Sequence, residues 1–160
     1  MRESKSLAHQ AGAAAILVAL TLCVQCAGMG FIIYRTRILI EGRTRKLSAW
    51  QAAVLMVRFA AAMTVLEILE ALIWACFYRW KCFGAWEASF YFAAASYSTV
   101  GYGDVLLPRV WRLLGPVESL TGMLVCGMSV SGLFAILTRI LAAEAKSSSS
   151  ASSILTSKLR

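Results

Sequence analysis

Three apolar stretches of this 160-residue chain are each long enough to cross a lipid bilayer as a helix. They cover residues 11–34, 50–78 and 117–141, and a membrane-spanning helix needs about 20 apolar residues. Inside hydrocarbon the backbone must satisfy its own hydrogen bonds, which favours helices over irregular chain. The apolar content of 59% agrees with a chain that lies largely in the hydrocarbon of a bilayer. We therefore predict an all-α membrane protein with three transmembrane helices.

A fourth segment, residues 85–97, is apolar but too short to cross the bilayer. It follows Gly84, and Glu87 in its first turn suits the positive end of a helix dipole. A short helix at membrane depth is tolerated where protein surrounds it. We expect a re-entrant helix whose carboxyl end, the negative end of its dipole, favours a cation at the centre of an assembly.

The seven residues that follow this short segment, 98–104, contain two alternating glycines. In an extended strand successive carbonyls point to opposite sides. They point to the same side only when every second residue adopts left-handed backbone angles. Glycine adopts left-handed angles without a steric penalty. Gly101 and Gly103 alternate with Val100 and Tyr102, so this stretch can direct a row of carbonyls at one axis. Such carbonyls can replace the water shell of a cation.

The run from Thr99 to Asp104 resembles the selectivity filter of potassium channels. With its flanking segments, residues 49–141 resemble the small prokaryotic-type two-transmembrane pore unit, here preceded by an extra helix at 11–34. The resemblance implies an outer helix at 50–78, a pore helix at 85–97, a filter at 98–104 and an inner helix at 117–141. It also implies a homotetramer that passes K⁺ passively, with no resident cofactor. The ion-binding residues would be Thr99, Val100, Gly101, Tyr102 and Gly103, with K⁺ held between Thr99 and Tyr102.

Three positions near the filter depart from the family pattern. Tyr91 and Phe92 stand where many members have tryptophans that brace the filter tyrosine, and Phe92 has no hydrogen-bond donor. Ala95 stands where some members carry a glutamate that pairs with the filter aspartate. Asp104, at the outer mouth, should then be neutralised by the arginines that follow it, Arg109 and Arg112. These departures leave the carbonyls intact but bear on filter rigidity.

Glu67 and Glu70 lie three residues apart in the second apolar stretch and so share one helix face. Carboxyl groups within a membrane normally face protein. One interpretation is a polar support behind the filter that reaches the pore helix. The other is a protonated, hydrogen-bonded pair that only packs helices. On the first interpretation the pore-helix partners are among Ser89, Ser96 and Tyr97, and the filter-support set is Tyr91, Phe92, Ser98, Glu67 and Glu70.

Glycines recur every five residues in the third stretch, at Gly122, Gly127 and Gly132. They suit either close helix packing or a gating bend, and Gly122 and Gly127 are the hinge candidates. Thr121, Val125 and Ser129 are four residues apart and are expected on the face that lines the cavity. Glu118 is expected to pair with Arg112 or with a neighbouring subunit.

Topology follows from the positive charges beside the apolar stretches. Residues 35–49 form the most basic segment and should be cytoplasmic. This places the N-terminus outside, the filter mouth outside and the C-terminus in the cytoplasm of a plasma-membrane protein. Residues 1–10 are expected to be a solvated tail that includes His9, and the Ser-rich residues 142–160 a disordered one. The basic residues of the loop are Arg35, Arg37, Arg43, Arg45 and Lys46.

Other function classes find less support in the sequence. The net charge of +8 lies in short loops beside apolar stretches, without the aromatic interleaving typical of nucleic-acid binding, so lipid is the expected partner. The five cysteines include Cys23 and Cys26 in one apolar helix, a poor metal or redox motif, while Cys82 could pair or stay free. No catalytic motif of a membrane enzyme is present. The alternatives to a selective channel are a weakly selective cation channel and a non-conducting or regulatory membrane subunit.

Overall fold

The computed structural model of the chain describes residues 2–41 and 48–158, with side chains described for 7–38, 48 and 50–142. Over those ranges all regular secondary structure is helical and there is no strand, which confirms the all-α fold. The elements are α1 (Arg2–Glu41), α2 (Ala49–Lys81), α3 (Trp86–Tyr97), a short 3₁₀ helix (Arg109–Trp111) and α4 (Leu114–Lys158).

Within the described ranges, three stretches are long and apolar enough to span a membrane: Leu7–Ile38, Trp50–Lys81 and Arg109–Ala142. Each is longer than its sequence-based estimate. α1 already begins at Arg2, so the predicted N-terminal tail is helical. It also continues to Glu41, which places Arg35 and Arg37 on a helix rather than in a loop. The other basic residues of that predicted loop, Arg43, Arg45 and Lys46, lie outside the described residues.

The C-terminal part of α4 corrects the prediction of a disordered tail at 142–160. The helix begins at Leu114 and runs without interruption to Lys158. No glycine or proline follows Gly132, and alanine, glutamate and lysine around residues 142–146 favour the helix while serine opposes it only weakly. At the other end, Pro116 is tolerated because the first helical turn leaves its backbone N–H groups unpaired anyway.

One compact unit of the chain comprises Met1–Gly28 and Thr64–Met128. Its core is built from α1, α2, α3 and α4 together. Trp74 is fully buried in this core. The indole N–H has a hydrogen-bond partner in α1, which offsets the free-energy cost of burying it. The core residues of this unit include Leu17, Trp74, Tyr78, Ala93, Leu114 and Val125.

Polar side chains of α1 face the rest of this unit. Thr21 and Gln25 are fully buried. The Trp74 indole N–H donates to Thr21 Oγ1 at 3.1 Å, and Gln25 Nε2 donates to the Val125 carbonyl at 3.4 Å. Polar groups between membrane helices act as interhelical contacts because lipid offers them no partner. α1 is therefore a structural part of the unit that contains residues 98–104.

The N-terminal end of α1 contacts the segment before α4. The Leu113 backbone N–H donates to Gln10 Oε1 at 3.3 Å. His9 is exposed, yet its ring lies 5.8 Å from that of Trp111, measured between ring centroids. The exposure agrees with the expected solvated position of His9, and the Trp111 ring is its aromatic neighbour.

Thr21→Val should loosen the attachment of α1. The substitution keeps the shape of the side chain but removes the acceptor of the buried Trp74 N–H. We expect a loss of about 0.6–1.7 kcal/mol in unfolding free energy, the range of interhelical hydrogen bonds in membranes. Equilibrium unfolding in mixed detergent micelles measures it. The control is Thr138→Val, because the exposed Thr138 hydroxyl donates only within its own helix. Equal stability of the two variants would contradict the prediction.

A second compact unit comprises Met29–Met63 and Ser129–Arg160. Phe59, Ile136 and Ile140 are buried within it. A Cβ on Gly132 would lie 3.2 Å from the Phe59 ring and 3.3 Å from Met29 Sδ. The absence of a side chain on Gly132 therefore leaves the space that Phe59 and Met29 occupy. Gly132 thus serves close helix packing, one of the two roles the glycine spacing suggested.

Candidate functional site

The start of the predicted filter, residues 98–104, is hydrogen-bonded to the end of α3, the predicted pore helix. The backbone N–H groups of Ser98, Thr99 and Gly101 donate to carbonyls of the last helical turn, each at 3.0 Å. These contacts satisfy carbonyl groups that a helix end otherwise leaves unpaired. They also fix the direction in which the chain leaves the helix. The acceptors are the carbonyls of Ala94, Ser96 and Ala95, respectively.

Left-handed backbone angles alternate along the filter. The φ angles are 62° at Thr99, 53° at Gly101 and 76° at Gly103. The glycines adopt them freely, whereas a β-branched residue does not, and such strain costs about 1–3 kcal/mol. Thr99 is the one non-glycine residue with positive φ in the described ranges. The alternation that sequence reasoning found at the glycines therefore begins one step earlier, at Thr99.

Tyr91 of α3 contacts two filter residues at once. Its ring stacks on that of Tyr102, with centroids 6.2 Å apart and an angle of 13° between the planes. Its hydroxyl donates to Asp104 Oδ2 at 2.8 Å, and this bond to a carboxylate raises the pKa of Tyr91. The expected neutralisers, Arg109 and Arg112, do not pair with Asp104 in the part of the chain described. Asp104 therefore pairs with the hydroxyl of Tyr91, because the alanine at position 95 has no group that could pair with it.

Phe92 makes its ring contacts away from the filter. It meets Tyr78 edge-on at 5.1 Å and Phe83 at 5.8 Å, measured between ring centroids. These contacts anchor the pore helix to α2 and to the segment after it. Of the two residues at the bracing positions, Tyr91 meets the filter tyrosine ring and Phe92 packs against the outer helix.

The two glutamates of α2 have different surroundings. The Tyr97 hydroxyl donates to Glu70 Oε2 at 2.5 Å, and both side chains are buried. Glu67 is half-buried and lines a cavity beside the filter base. Among the three pore-helix partners considered from the sequence, Tyr97 is the one that meets a glutamate; Ser89 donates to the Ala85 carbonyl instead. Glu70 thereby contacts the residue that immediately precedes the filter.

Tyr97→Phe should disturb the filter base. The Glu70 carboxyl, buried at both oxygens, would lose its one hydrogen bond, which costs about 1–3 kcal/mol. We expect lower thermal stability and a reversal potential shifted toward zero under opposed potassium and sodium. Tyr34→Phe is the control because Tyr34 is exposed. An unchanged reversal potential with unchanged stability would show that this contact does not support the filter.

Serine hydroxyls complete the junction between filter and helices. Ser98 Oγ donates to the Ala94 carbonyl at 2.6 Å. Ser119 Oγ of α4 donates to the Ser96 carbonyl at 2.7 Å. Sequence reasoning missed Ser119, although a hydroxyl in the first turns of an apolar helix was a signal that it faces protein. This bond ties the inner helix to the end of the pore helix.

A family model described as "Ion channel" matches residues 49–139, which is more than half of the chain. The chain belongs to this ion channel family. No curated protein and no solved structure matches it. Membership of the family, with three membrane-length helices, makes the chain a multi-pass membrane protein and favours a channel over an enzyme.

Glu118 of this channel protein has an unexpected partner. The Tyr78 hydroxyl donates to Glu118 Oε2 at 2.8 Å, and both side chains are fully buried. The prediction that Glu118 pairs with Arg112 or another subunit is wrong for Oε2, whose partner is the Tyr78 hydroxyl. The residues lie 40 positions apart, so no local spacing rule could have joined them. The contact links α2 to the beginning of α4.

The two hinge candidates of the inner helix differ in their surroundings. A Cβ on Gly122 would overlap the Tyr97 carbonyl oxygen and lie 3.2 Å from the Tyr97 ring. A Cβ on Gly127 would meet no atom within 4 Å. Gly122 is therefore needed for close packing against the pore helix. Gly127 has no such packing role in this chain, and its role as a hinge stays a prediction.

The face expected to line the channel cavity is turned inward within the chain. Thr121, Val125 and Ser129 are all buried, because this side of α4 packs against other helices of the same chain. Met123 and Leu124 are exposed instead. The four-residue spacing identified one helix face correctly but not what that face contacts.

The cysteines form no disulfide, and all five are free thiols. Cys82 is half-buried, and burial raises the pKa of its thiol to about 11. Cys126 is exposed and lines the cavity that also contains Glu67. No group of histidine, cysteine or acidic side chains suited to a metal ion occurs among the described residues.

Proposed function

We propose that this protein is a potassium-selective channel subunit that conducts K⁺ passively. The observation that carries the proposal is the left-handed backbone at Thr99, Gly101 and Gly103. With right-handed or extended residues between them, this alternation turns successive carbonyls toward one side. A row of carbonyls from Thr99 to Gly103 can then replace the hydration shell of K⁺. Asp104 adds negative charge at the mouth, and K⁺ is the permeant ion rather than a cofactor.

The channel we propose is a homotetramer. Each chain supplies one filter strand, and a closed ring of carbonyls needs several strands around one axis. In the single chain the side chains of Val100 and Tyr102 are 53% and 70% exposed. Large apolar side chains that stay this exposed beside a pore are suited to contacts with neighbouring subunits. The other partner is membrane lipid along the three spanning stretches.

The orientation we propose places the filter mouth and the N-terminus outside and the C-terminus in the cytoplasm of the plasma membrane. Arg35 and Arg37 support it, since they lie at the end of α1 that this orientation places inside. A label accessible from one side only, attached to a cysteine at residue 3 or residue 158 in a cysteine-free background, tests it. Labelling of the residue-158 variant from outside intact cells would reverse the assignment.

The reversal potential of the purified protein in a planar bilayer tests potassium selectivity. With K⁺ on one side and Na⁺ on the other, a potential near the potassium limit supports the proposal. A potential near zero with real current would mean a weakly selective cation channel. Absence of current from confirmed tetramers, over a range of pH and membrane tension, would mean a non-conducting or regulatory subunit.

A further inference from the structure

A buried amide of α1 contacts the backbone of α4 close to the hinge candidate Gly127. Gln25 is fully buried, and its Nε2 donates to the Val125 carbonyl at 3.4 Å. Both residues belong to the compact unit that contains residues 98–104. α1 lies outside residues 49–139, the part of the chain that matches the ion channel family. The contact is therefore an addition to the pore domain and not one of its own parts.

The part of α4 that precedes Val125 is fixed to α2 and α3. Beyond this part, a Cβ on Gly127 would meet no atom within 4 Å. Bending is therefore least hindered at Gly127, directly after the stretch that is held. The fixing contacts are those of Glu118 with the Tyr78 hydroxyl, Ser119 with the Ser96 carbonyl, and Gly122 with Tyr97.

The Val125 carbonyl takes part in the helical hydrogen bond that spans Gly127. In an α-helix each carbonyl accepts from the N–H four residues further on, so the bond from Val125 closes over residues 126–128. A bend at Gly127 that opens the helix on the side of α1 lengthens this bond. A carbonyl without a donor is costly at membrane depth, and sharp bends occur where another group enters the helical ladder. The Gln25 amide is such a group.

The length of the Gln25 contact suits this role. At 3.4 Å it exceeds the usual N–H···O range of about 2.7–3.2 Å. In the unbent helix the carbonyl is shared between its helical donor and Gln25. When the helical donor moves away, the bond to Gln25 can shorten. The contact therefore stabilises a bent α4 more than an unbent one, and such a difference is what shifts an equilibrium between two conformations.

We propose that Gln25 favours bending of α4 at Gly127 by donating to the Val125 carbonyl as the helical bond of that carbonyl lengthens. α1 thereby adjusts the equilibrium between unbent and bent inner helices. The consequence for gating rests on the proposed channel function, because bending affects conduction only if α4 lines a pore. The bond and the bend are properties of the chain itself and can be measured without current.

Solid-state NMR of the full chain in lipid bilayers tests the bond. Val125–Cys126 is the one place in the sequence where cysteine follows valine, so ¹³C-carbonyl valine combined with ¹⁵N-cysteine gives a single signal. Its carbonyl shift depends on the donors that reach Val125. Gln25→Met has a side chain of similar length without a donor and should move the signal upfield. Thr21→Val, which removes a bond from α1 to α2, should leave the signal unchanged.

Distances between spin labels on opposite subunits of the assembled protein test the bend. The label is attached to Leu141→Cys, at an exposed residue near the end of α4's membrane-length stretch, after the five native cysteines are replaced by alanine. Gln25→Met should lower the ratio of bent to unbent helices by about three- to fifteenfold, as for loss of an interhelical hydrogen bond in a membrane. Thr21→Val, the control for loosened attachment of α1, should give the parent's distances.

Gly127→Ala shows whether Gln25 acts through the bend. It should shift the label distances in the same direction as Gln25→Met, because both changes make bending more costly. The double variant should shift them by less than the sum of the two single effects, as expected for coupled sites. In a parent that conducts, the open probability of the two single variants should change in the same direction, with the reversal potential unchanged.

Two results would overturn the proposal. An unchanged valine carbonyl signal in Gln25→Met would show that the amide does not bind Val125. Label distances in Gln25→Met that equal those of the parent, or that shift opposite to those of Gly127→Ala, would show that Gln25 does not favour the bend. A parent without current would contradict the proposed function instead, and the carbonyl signal and the label distances would still decide between a bend that Gln25 favours and one that it does not.

Discussion

We expect Gly101→Ala to abolish potassium flux while the oligomer still forms. Gly101 has a φ of 53°, a left-handed angle that costs an L-residue about 1–2 kcal/mol. A Cβ at this position would meet no atom within 4 Å in the chain, so the effect comes from the backbone and not from a clash. Alanine should rotate the local peptide units out of the alternating pattern and remove carbonyls from the conduction axis. Flux of ⁸⁶Rb⁺ or K⁺ into liposomes measures the loss.

The matched control is Gly12→Ala in α1. A Cβ there also meets no atom within 4 Å, but the residue is helical and does not have a positive φ. Flux through this variant should equal that of the parent, and both variants should elute at the same oligomeric size. Potassium-selective flux through Gly101→Ala would remove the carbonyl-ring explanation of the filter.

We expect Gly122→Ala to prevent close packing of α3 against α4. The new Cβ would overlap the Tyr97 carbonyl oxygen and approach the Tyr97 carbonyl carbon to 3.0 Å. Backbone cannot move aside as a flexible side chain does, so we expect a cost at the upper end for overpacked sites, about 3 kcal/mol. The displacement also pulls on Tyr97, which is bonded to Glu70 and adjoins the filter. The thermal transition of the purified oligomer should fall markedly.

Gly127→Ala separates packing from bending. Because a Cβ at Gly127 meets no atom within 4 Å, the variant should match the parent in thermal stability. Alanine stiffens a helix relative to glycine, so if Gly127 is the hinge, open probability should change while the reversal potential stays the same. A stability loss as large as that of Gly122→Ala would show that both glycines serve packing.

Much of the architecture is determined by the sequence on its own. Apolar length predicts the three spanning helices, because a bilayer accepts only segments that satisfy their own backbone. The pore-helix prediction of 85–97 agrees with α3 at Trp86–Tyr97 to within one residue. Left-handed angles at Gly101 and Gly103 follow from residue type, since glycine is the residue that tolerates them. These features depend on the type and spacing of residues close together in the chain, so they can be predicted from the sequence.

The tertiary structure alone decided which side chains meet. Tyr78 bonds to Glu118 across 40 positions, and Gln25 bonds to Val125 across 100. Each of these residues was recognisable as polar or aromatic, but helix periodicity gives only the face, not the neighbour opposite it. For the same reason the buried face of α4 was mistaken for the cavity face, and Gly122 was not distinguished from Gly127. The spacing of residues along one helix determines which face each side chain lies on. Which residues that face contacts is determined only by how the helices pack against one another.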